Sequence, residues 1–283
     1  MARAACRPSA AAQVAVAAGP DAAPDDPLRS CDLRAAWWQP WREALAQLAA
    51  LPPAQRAARL TQWARERDLC NAAGRPIVFA AADDAGAAAY ETHIHATGRV
   101  PTRSGRAGGL HDLLNALAWL RWPRLKAALN ARQAEALARD GVRAARGAAR
   151  DAATLIDENG LLLASDDAAV FEALAARDWR RLFIDLRARW HRAAVPQLAG
   201  HALLEKLCAP YKAIAAHVVP LPGRFGDDAA LDAAAAAWVR QPALAPRLLR
   251  PLPVLGVPGW WPDNEAPTFY DDVSVFRPPA RAA

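Results

Sequence analysis

The sequence predicts an α+β fold that is predominantly helical, with a few short strands and an irregular C-terminal segment rich in proline and aromatic residues. Apolar residues recur at helical spacing along most of the chain. Strand-like apolar runs are short and do not alternate regularly with helices, as a doubly wound parallel sheet requires. With 283 residues, 53% of them hydrophobic, the chain can bury the core of a single domain. We expect that domain at residues 28–283, after a disordered Ala/Pro-rich tail at residues 1–27.

The first elements are predicted from tryptophan, leucine and proline positions. A helix begins after Asp32, a good N-cap, and its tryptophans and leucines recur on one face. A proline pair ending at Pro53 stops this helix and starts a second one that runs to about Leu69. Residues 76–80, PIVFA, have the length and composition of a short buried strand.

Residues 90–96 alternate between two sets of side chains and predict a second strand. His93 and His95 then lie on one face of that strand. Two histidines at this spacing can share a metal ion, and imidazole suits zinc, iron or manganese. His93 and His95, together with His111 further on, are therefore metal-ligand candidates. The alternative is a polar strand face in contact with solvent.

A glycine-rich basic loop at residues 98–109 leads into a predicted helix at residues 110–122, and Pro123 starts the next helix. Five leucines form a core-facing stripe on the first of these helices. The opposite face carries an unusual set of polar and aromatic side chains: His111, Asp112, Asn115, Trp119 and Trp122.

This second face has two interpretations, because tryptophans that can each bury roughly 150–250 Å² rarely face water. In the first, the face lines a cleft in which His111 and Asn115 point at a ligand and Asp112 orients one of them. The catalytic candidates are then His95, His111, Asp112 and Asn115. In the second interpretation, the face is a buried polar network that ties the helix to the rest of the protein.

Positive charge concentrates around this helix. Residues 99–150 hold eleven arginines and lysines and three acidic residues, a net charge of +8, while the remainder of the chain has −2. Such a local field attracts anions. Arg99, Arg103 and Lys126 are candidate contacts to an anionic ligand, and Trp119 could stack on the bases of a nucleic acid.

The second half of the chain offers another polar cluster. A helix is predicted over residues 198–208, where His201 and Glu205 lie one turn apart, so that the carboxylate could orient the imidazole. Both residues are ligand-binding candidates, although an ordinary pair on the helix surface is the favoured interpretation of this spacing. Residues 154–165 predict a β-hairpin with Glu158 in its turn.

The remaining elements follow from capping residues and apolar runs. Asp167 can cap a helix, residues 212–219 could form a strand, and residues 227–240 predict an alanine-rich helix. Residues 250–278 contain too much proline for long regular elements, so we expect them to wrap over the core through their aromatic rings.

The four cysteines are scattered, without a CxxC spacing, and predict reduced thiols in a cytoplasmic protein. No apolar run approaches the roughly 18–20 residues that a membrane helix needs, so a membrane partner is not expected.

Three segments together resemble a known family. They are residues 90–103 (YETHIHATGRVPTR), residues 200–219 (GHALLEKLCAPYKAIAAHVV) and residues 251–261 (PLPVLGVPGWW). The combination is similar to the uncharacterised bacterial family called domain of unknown function 3025, over about residues 35–278. The resemblance implies one bacterial domain and carries no activity, cofactor or catalytic residue with it.

The function is therefore unknown from the sequence, and three hypotheses follow. The main one is a protein that binds an anionic ligand or nucleic acid through a basic cleft around the His111 helix. The alternative is a metal-dependent phosphodiester hydrolase of ββα type, in which His93 or His95 on a strand activates water while helix residues such as His111 or Asn115 hold a divalent metal. The third is a non-catalytic small-molecule site under the C-terminal segment.

Overall fold

The computed structural model describes residues 26, 28, 31–80, 90–105, 108–140 and 147–278. Helices dominate these residues, as predicted. The helices are α1 (Arg42–Ala49), α2 (Pro53–Glu66), α3 (Tyr90–Thr97), α4 (Gly109–Arg121), α5 (Pro123–Asp140), α6 (Ala148–Asn159), α7 (Ala168–Ala176), α8 (His201–Lys206) and α9 (Asp228–Arg240). Within the described ranges, no helix has the length and apolarity to cross a lipid bilayer.

Two small sheets complete the α+β architecture. Strands β1 (Val78–Ala80) and β2 (Arg99–Pro101) form a parallel pair. The larger sheet has the strand order β4-β3-β5-β6. Its strands are β3 (Gly160–Ser165), β4 (Ala194–Leu198), β5 (Ala215–Pro222) and β6 (Arg250–Pro253). Strand β3 runs parallel to β5 and antiparallel to β4, and β6 is antiparallel to β5.

Helices α4 and α5 lie at the centre of the helical layer. Helix α5 packs against α3, α6 and α9, and α4 packs against α2 and α8. Both faces of α4 are buried: Leu114 and Leu117 on one side are as inaccessible as Trp119 and Trp122 on the other. The second face of α4 is therefore an interface inside the protein along most of its length, and only its first turn reaches the surface.

The predicted strand at residues 90–96 is wrong, because these residues form helix α3. Over seven residues, side chains at i and i+4 share a face in a helix as well as in a strand, so Tyr90 and Ile94 fit either periodicity. Gly98 is the residue that indicates a helix rather than a strand. It adopts a left-handed conformation at φ 72° and its N–H donates to the Ile94 carbonyl, as a glycine does after the last turn of a helix.

The predicted hairpin at residues 154–165 is also wrong. Residues up to Asn159 belong to α6, and β3 begins at Gly160 without an intervening turn. The Asn-Gly pair marks a helix end here rather than a hairpin turn. Helix α7 agrees with its prediction, since the Asp167 carboxylate accepts a hydrogen bond from the Ala169 N–H.

The prediction of reduced cysteines is wrong for two of the four. Cys31 and Cys208 form a disulfide bond across 177 residues of sequence, and Cys70 is a free, exposed thiol. Cys6 lies outside the described residues. Since disulfides persist mainly in oxidising compartments, the prediction of a cytoplasmic location loses one of its arguments.

A buried ion pair fixes the start of the described chain. The Arg56 guanidinium binds the Asp26 carboxylate, with 7% and 3% of their side chains exposed. Leu28 joins the apolar core beside it. Residues 1–25, most of the predicted tail, lie outside the described residues, so a deletion meant to remove only that tail should keep Asp26.

The C-terminal segment wraps over the core through its aromatic rings, as expected. Phe183 lies at the centre of the cluster, with its ring 5.5 Å from that of Trp190 and 5.4 Å from that of Tyr270. Phe276 packs edge-on against Phe183 at 6.2 Å. Buried side chains here also satisfy backbone groups, since Asn264 donates to the carbonyls of residues 255 and 257.

Candidate functional site

The site is built where three helix ends meet, and a glycine permits their close approach. Helix α6 ends at Asn159, and α8 begins at His201 directly after Gly200. A Cβ atom on Gly200 would lie 2.5 Å from the Glu158 carbonyl oxygen and 2.4 Å from the Gly160 nitrogen. Only glycine fits there. Because glycine has no side chain, His201 can lie against the last turn of α6.

His201 is held in one tautomer. Its side chain is 5% exposed, and Nδ1 lies 2.8 Å from the backbone carbonyl oxygen of Asp157. Because a carbonyl oxygen only accepts hydrogen bonds, Nδ1 carries the proton and Nε2 presents a lone pair. Burial lowers the pKa of His201 to about 4, which keeps the ring neutral at physiological pH.

His111 is held in the same way from the other side. It lies in the first turn of α4, and its Nδ1 lies 2.8 Å from Oε2 of Glu205 on α8. The carboxylate accepts a hydrogen bond from Nδ1–H, so Nε2 of a neutral His111 also presents a lone pair. His111 and Glu205 are 30% and 40% exposed, which opens this side of the site to solvent.

The two Nε2 atoms face each other at a distance of 3.0 Å. Two lone pairs repel at this distance unless a proton or a cation lies between them. Glu158, at the end of α6, supplies a third ligand: its Oε2 is 3.6 Å from Nε2 of His201. Across the part of the chain that the structure describes, His111, Glu158 and His201 are the one set of potential metal ligands whose atoms all lie within 4.8 Å of one another.

A network of hydrogen bonds between buried side chains lies next to these potential ligands. The Lys126 ammonium, on a residue that is 4% exposed, donates to the Asp157 carboxylate and, at 2.7 Å, to Oδ1 of Asn115. Asn115 donates in turn to the Tyr90 hydroxyl at 3.0 Å. Burial acts to raise the pKa of Asp157, but the charge of Lys126 and the hydrogen bond from it lower that pKa below its usual range, so the carboxylate stays ionised.

Glu91 lies at the edge of this network. Its Oε2 accepts a hydrogen bond from Asn130 at 2.7 Å. Burial, followed by repulsion from Asp157, raises the pKa of Glu91 from 4.5 to about 7. The folded protein therefore holds a proton on Glu91 in a pH range where the unfolded chain has already lost it.

We expect this proton to make wild-type stability fall as the pH rises from about 4.5 to about 7, because the folded state binds more protons than the unfolded state over that window. Glu91→Gln removes the ionisation. At pH 8 the variant should be more stable than the wild type by up to about 3 kcal/mol, and at pH 4.5 the difference should vanish. Urea unfolding at both pH values measures this. A difference that does not change with pH would show that Glu91 ionises normally.

Burial also raises the pKa values of two other groups at the site, Glu158 and Tyr90. Burial and the nearby Asp157 raise the pKa of Glu158. Burial raises the pKa of Tyr90 well above its ordinary value, so the hydroxyl stays protonated. Without a bound cation, the Glu158 carboxylate therefore lies in an environment that disfavours its charge.

Arg103 and Asp112 are engaged with each other. Nε and Nη2 of Arg103 lie 2.7 Å and 2.9 Å from the two carboxylate oxygens of Asp112, which also accepts the Arg103 backbone N–H. The guanidinium packs on Gly108, where a Cβ atom would lie 2.4 Å from the guanidinium carbon, Cζ. This pair closes the loop onto α4, so Asp112 is better explained as a structural residue than as a catalytic one.

A family model described as "Protein of unknown function (DUF3025)" matches residues 77–280. The chain belongs to this family. The match confirms the resemblance found in the sequence, and His111, Glu158 and His201 all lie within the DUF3025 region. No curated protein and no solved structure matches the chain significantly.

Several predicted site residues of this DUF3025 protein do not meet at the site. His93 and His95 are on helix α3, so the strand histidine of the ββα hypothesis does not exist. Neither belongs to the group of three ligands. Trp119 is 2% exposed, so it cannot stack on a base, and Asn115 is buried at 4%.

The basic segment is not one continuous surface among the described residues. Lys126 pairs with Asp157, and Arg121 pairs with Asp228 while lying over the Trp122 ring. Arg99 is exposed on β2. Folding thus brings acids from outside residues 99–150 onto several of the basic side chains.

Sequence reasoning missed Glu158 and Asp157 because it assigned residues 154–165 to a hairpin, with Glu158 in the turn. It selected His111, His201 and Glu205 separately, without a reason to join them. One signal was present: α6 as an amphipathic helix over residues 148–159 would have placed both acids on its last turn. Tyr90, Asn115 and Lys126 form a buried series of hydrogen bonds, which agrees with the second interpretation of the α4 face, a buried polar network.

Proposed function

We propose that the protein is a metal-dependent hydrolase whose centre is His111 Nε2, His201 Nε2 and the Glu158 carboxylate. The observation that carries this proposal is the approach of the two Nε2 atoms to 3.0 Å while both Nδ1 atoms donate elsewhere. Two nitrogens bound to one ion at about 2.0–2.1 Å and about 90–110° to each other are separated by about 2.9–3.4 Å. The pair already has that spacing.

The surroundings of the two histidines support a cation rather than a shared proton. Metal-bound histidines donate their other ring N–H to a carboxylate or a backbone carbonyl, which fixes the ring and increases its basicity. His111 has the first kind of partner, Glu205, and His201 has the second, the Asp157 carbonyl. A third ligand in Glu158 and a neutral His201 complete a donor set typical of zinc or ferrous iron.

Three protein ligands leave coordination positions for water, which is the arrangement of catalytic rather than structural zinc sites. The partial exposure of His111 and Glu158 places those positions towards solvent. A divalent ion there would lower the pKa of its bound water towards 7 and would polarise a carbonyl or phosphoryl oxygen. Hydrolysis is the reaction class that this chemistry serves. It retains the metal and the His111 ligand of the ββα alternative, and replaces the other candidate residues with His201 and Glu158.

The test is metal stoichiometry followed by hydrolysis. Wild-type protein loaded with Zn²⁺, or anaerobically with Fe²⁺, and then dialysed should retain about one ion per chain. His111→Ala and Glu158→Gln should lose it, while Glu205→Gln should weaken metal binding about 10–100-fold. His93→Ala is the matched control and should retain the ion. Bis(p-nitrophenyl) phosphate and p-nitrophenyl acetate serve as substrates.

Two outcomes would overturn the proposal. If saturated wild-type protein retains no more metal than His111→Ala, the two histidines share a proton instead. If metal is retained at full stoichiometry but neither probe is hydrolysed faster than by His111→Ala, the centre binds metal without hydrolytic activity.

A further inference from the structure

We propose that the substrate of this centre carries an oxyanion, a phosphate or carboxylate group, which binds to the metal and to the ammonium of Lys206. The inference rests on the proposed metal centre and goes beyond it by naming the substrate class and a recognition residue. Lys206 is not a metal ligand. It would act by holding the substrate.

Lys206 lies next to the ligands because of its place on α8. His201 and Glu205 are one turn apart and face His111, and Lys206 follows as the last residue of the helix. Its Nζ donates to Oδ1 of Asn159 at 2.7 Å, and Asn159 is the residue directly after Glu158. The ammonium is therefore fixed beside the end of α6, at the Glu158 side of the centre.

One electrostatic effect agrees with this position. Burial, followed by the charge of Lys206, lowers the pKa of His217 on β5. His217 pairs in register with Gly160, two residues after Glu158. The ammonium therefore lies close to the end of the sheet at which α6 ends.

Lys206 also has unused binding capacity. It is exposed, and within the described chain its hydrogen bond is to a neutral amide and no salt bridge involves it. The other two lysines are engaged with carboxylates, Lys126 with Asp157 and Lys212 with Asp272. An ammonium has three hydrogen-bond donors, and Lys206 has no salt bridge to an acidic side chain among the described residues.

The net charge of the loaded site favours an anion. Lys126 neutralises Asp157, and Arg103 neutralises Asp112. Glu158 and Glu205 remain, and their two negative charges balance a divalent ion. Lys206 then leaves the site with an excess of about one positive charge at short range, which attracts an oxyanion to the open positions of the metal.

Calorimetric titration with inorganic phosphate tests this, and acetate is titrated in parallel to separate phosphate from carboxylate substrates. Zn²⁺-loaded wild-type protein should bind one of the two anions, and the metal-free protein should bind it much more weakly. Lys206→Met should weaken that binding about tenfold or more while retaining full metal content. Lys206→Arg should restore most of it. Arg65→Met, which removes one exposed positive charge on α2, is the control and should bind like the wild type.

The failures are separable. Loss of metal from wild-type protein would sink the proposed function itself, and this is measured first. Full metal content with no binding of either anion, or equal binding by Lys206→Met and wild type, would overturn the oxyanion inference alone. If Lys206 serves only to hold the end of α6 through Asn159, Lys206→Met will lower the melting temperature and leave anion binding unchanged.

Discussion

Replacing Lys126 by methionine should destabilise the protein by about 3–5 kcal/mol, because the change leaves a buried carboxylate without its counter-ion. The Lys126 side chain is 5% exposed and that of its partner Asp157 is 13% exposed. Methionine conserves most of the volume of the lysine, so the effect reports the charge and its hydrogen bonds. Asn115 also loses the donor to its carbonyl oxygen.

The measurement is urea unfolding monitored by tryptophan fluorescence. Arg124→Met, an exposed position on the same helix, is the control and should change stability by no more than about 0.5 kcal/mol. The double variant Lys126→Met/Asp157→Leu removes both charges and should recover much of the loss. A loss below about 1 kcal/mol in the single variant would mean that water reaches Asp157. The single variant Lys126→Met should also bind metal more weakly, because the Asp157 carbonyl oxygen accepts the hydrogen bond that positions His201.

Phe276→Ala should cost about 3–5 kcal/mol, a loss comparable to that of Lys126→Met but of different origin. The Phe276 ring lies 5.1 Å from Tyr270, 5.6 Å from Phe269 and 6.2 Å from Phe183. Alanine would leave a cavity among rings that are held by other aromatic side chains and cannot easily close it. Since none of the described ring contacts of the cluster involves His111 or His201, metal content of the folded fraction should not change.

Thermal unfolding and urea unfolding both check this. Val273→Ala is the control in the same segment, because Val273 is 72% exposed and its truncation should have almost no effect. Wild-type stability in Phe276→Ala would mean that the C-terminal segment rests on the core without contributing to it.

The sequence was sufficient for helices whose apolar pattern is long. Helices α4 and α5 were predicted within a residue or two because leucines repeat over several turns and Pro123 separates them. Prediction from the sequence failed where a segment was short. Seven residues of α3 fit two periodicities, and at the end of α6 an Asn-Gly pair fits both a turn and a helix end. In both cases tertiary packing decided, and a single sequence does not contain that information.

The candidate site shows the same limit. His111 and His201 are 90 residues apart in sequence, and nothing in either local pattern indicates that their Nε2 atoms meet. The polar face of α4 was noticed because tryptophan accompanies histidine there, but the partners of that face come from α3, α5, α6 and α8. The net charge of residues 99–150 follows from the sequence, but the pairing of Lys126 with Asp157 and of Arg121 with Asp228 does not.

The Cys31–Cys208 bond has a topological consequence. It closes a covalent ring across 177 residues that encloses α1 to α8, including the three proposed metal ligands. Any single peptide-bond cleavage between the two cysteines opens a loop but separates nothing, so the nicked protein migrates as one species on a denaturing gel until a thiol reductant is added. Cleavage before Cys31 or after Cys208 releases a fragment without reduction. The pair of gels, with and without reductant, therefore tells whether a protease has cut between the two cysteines or outside them.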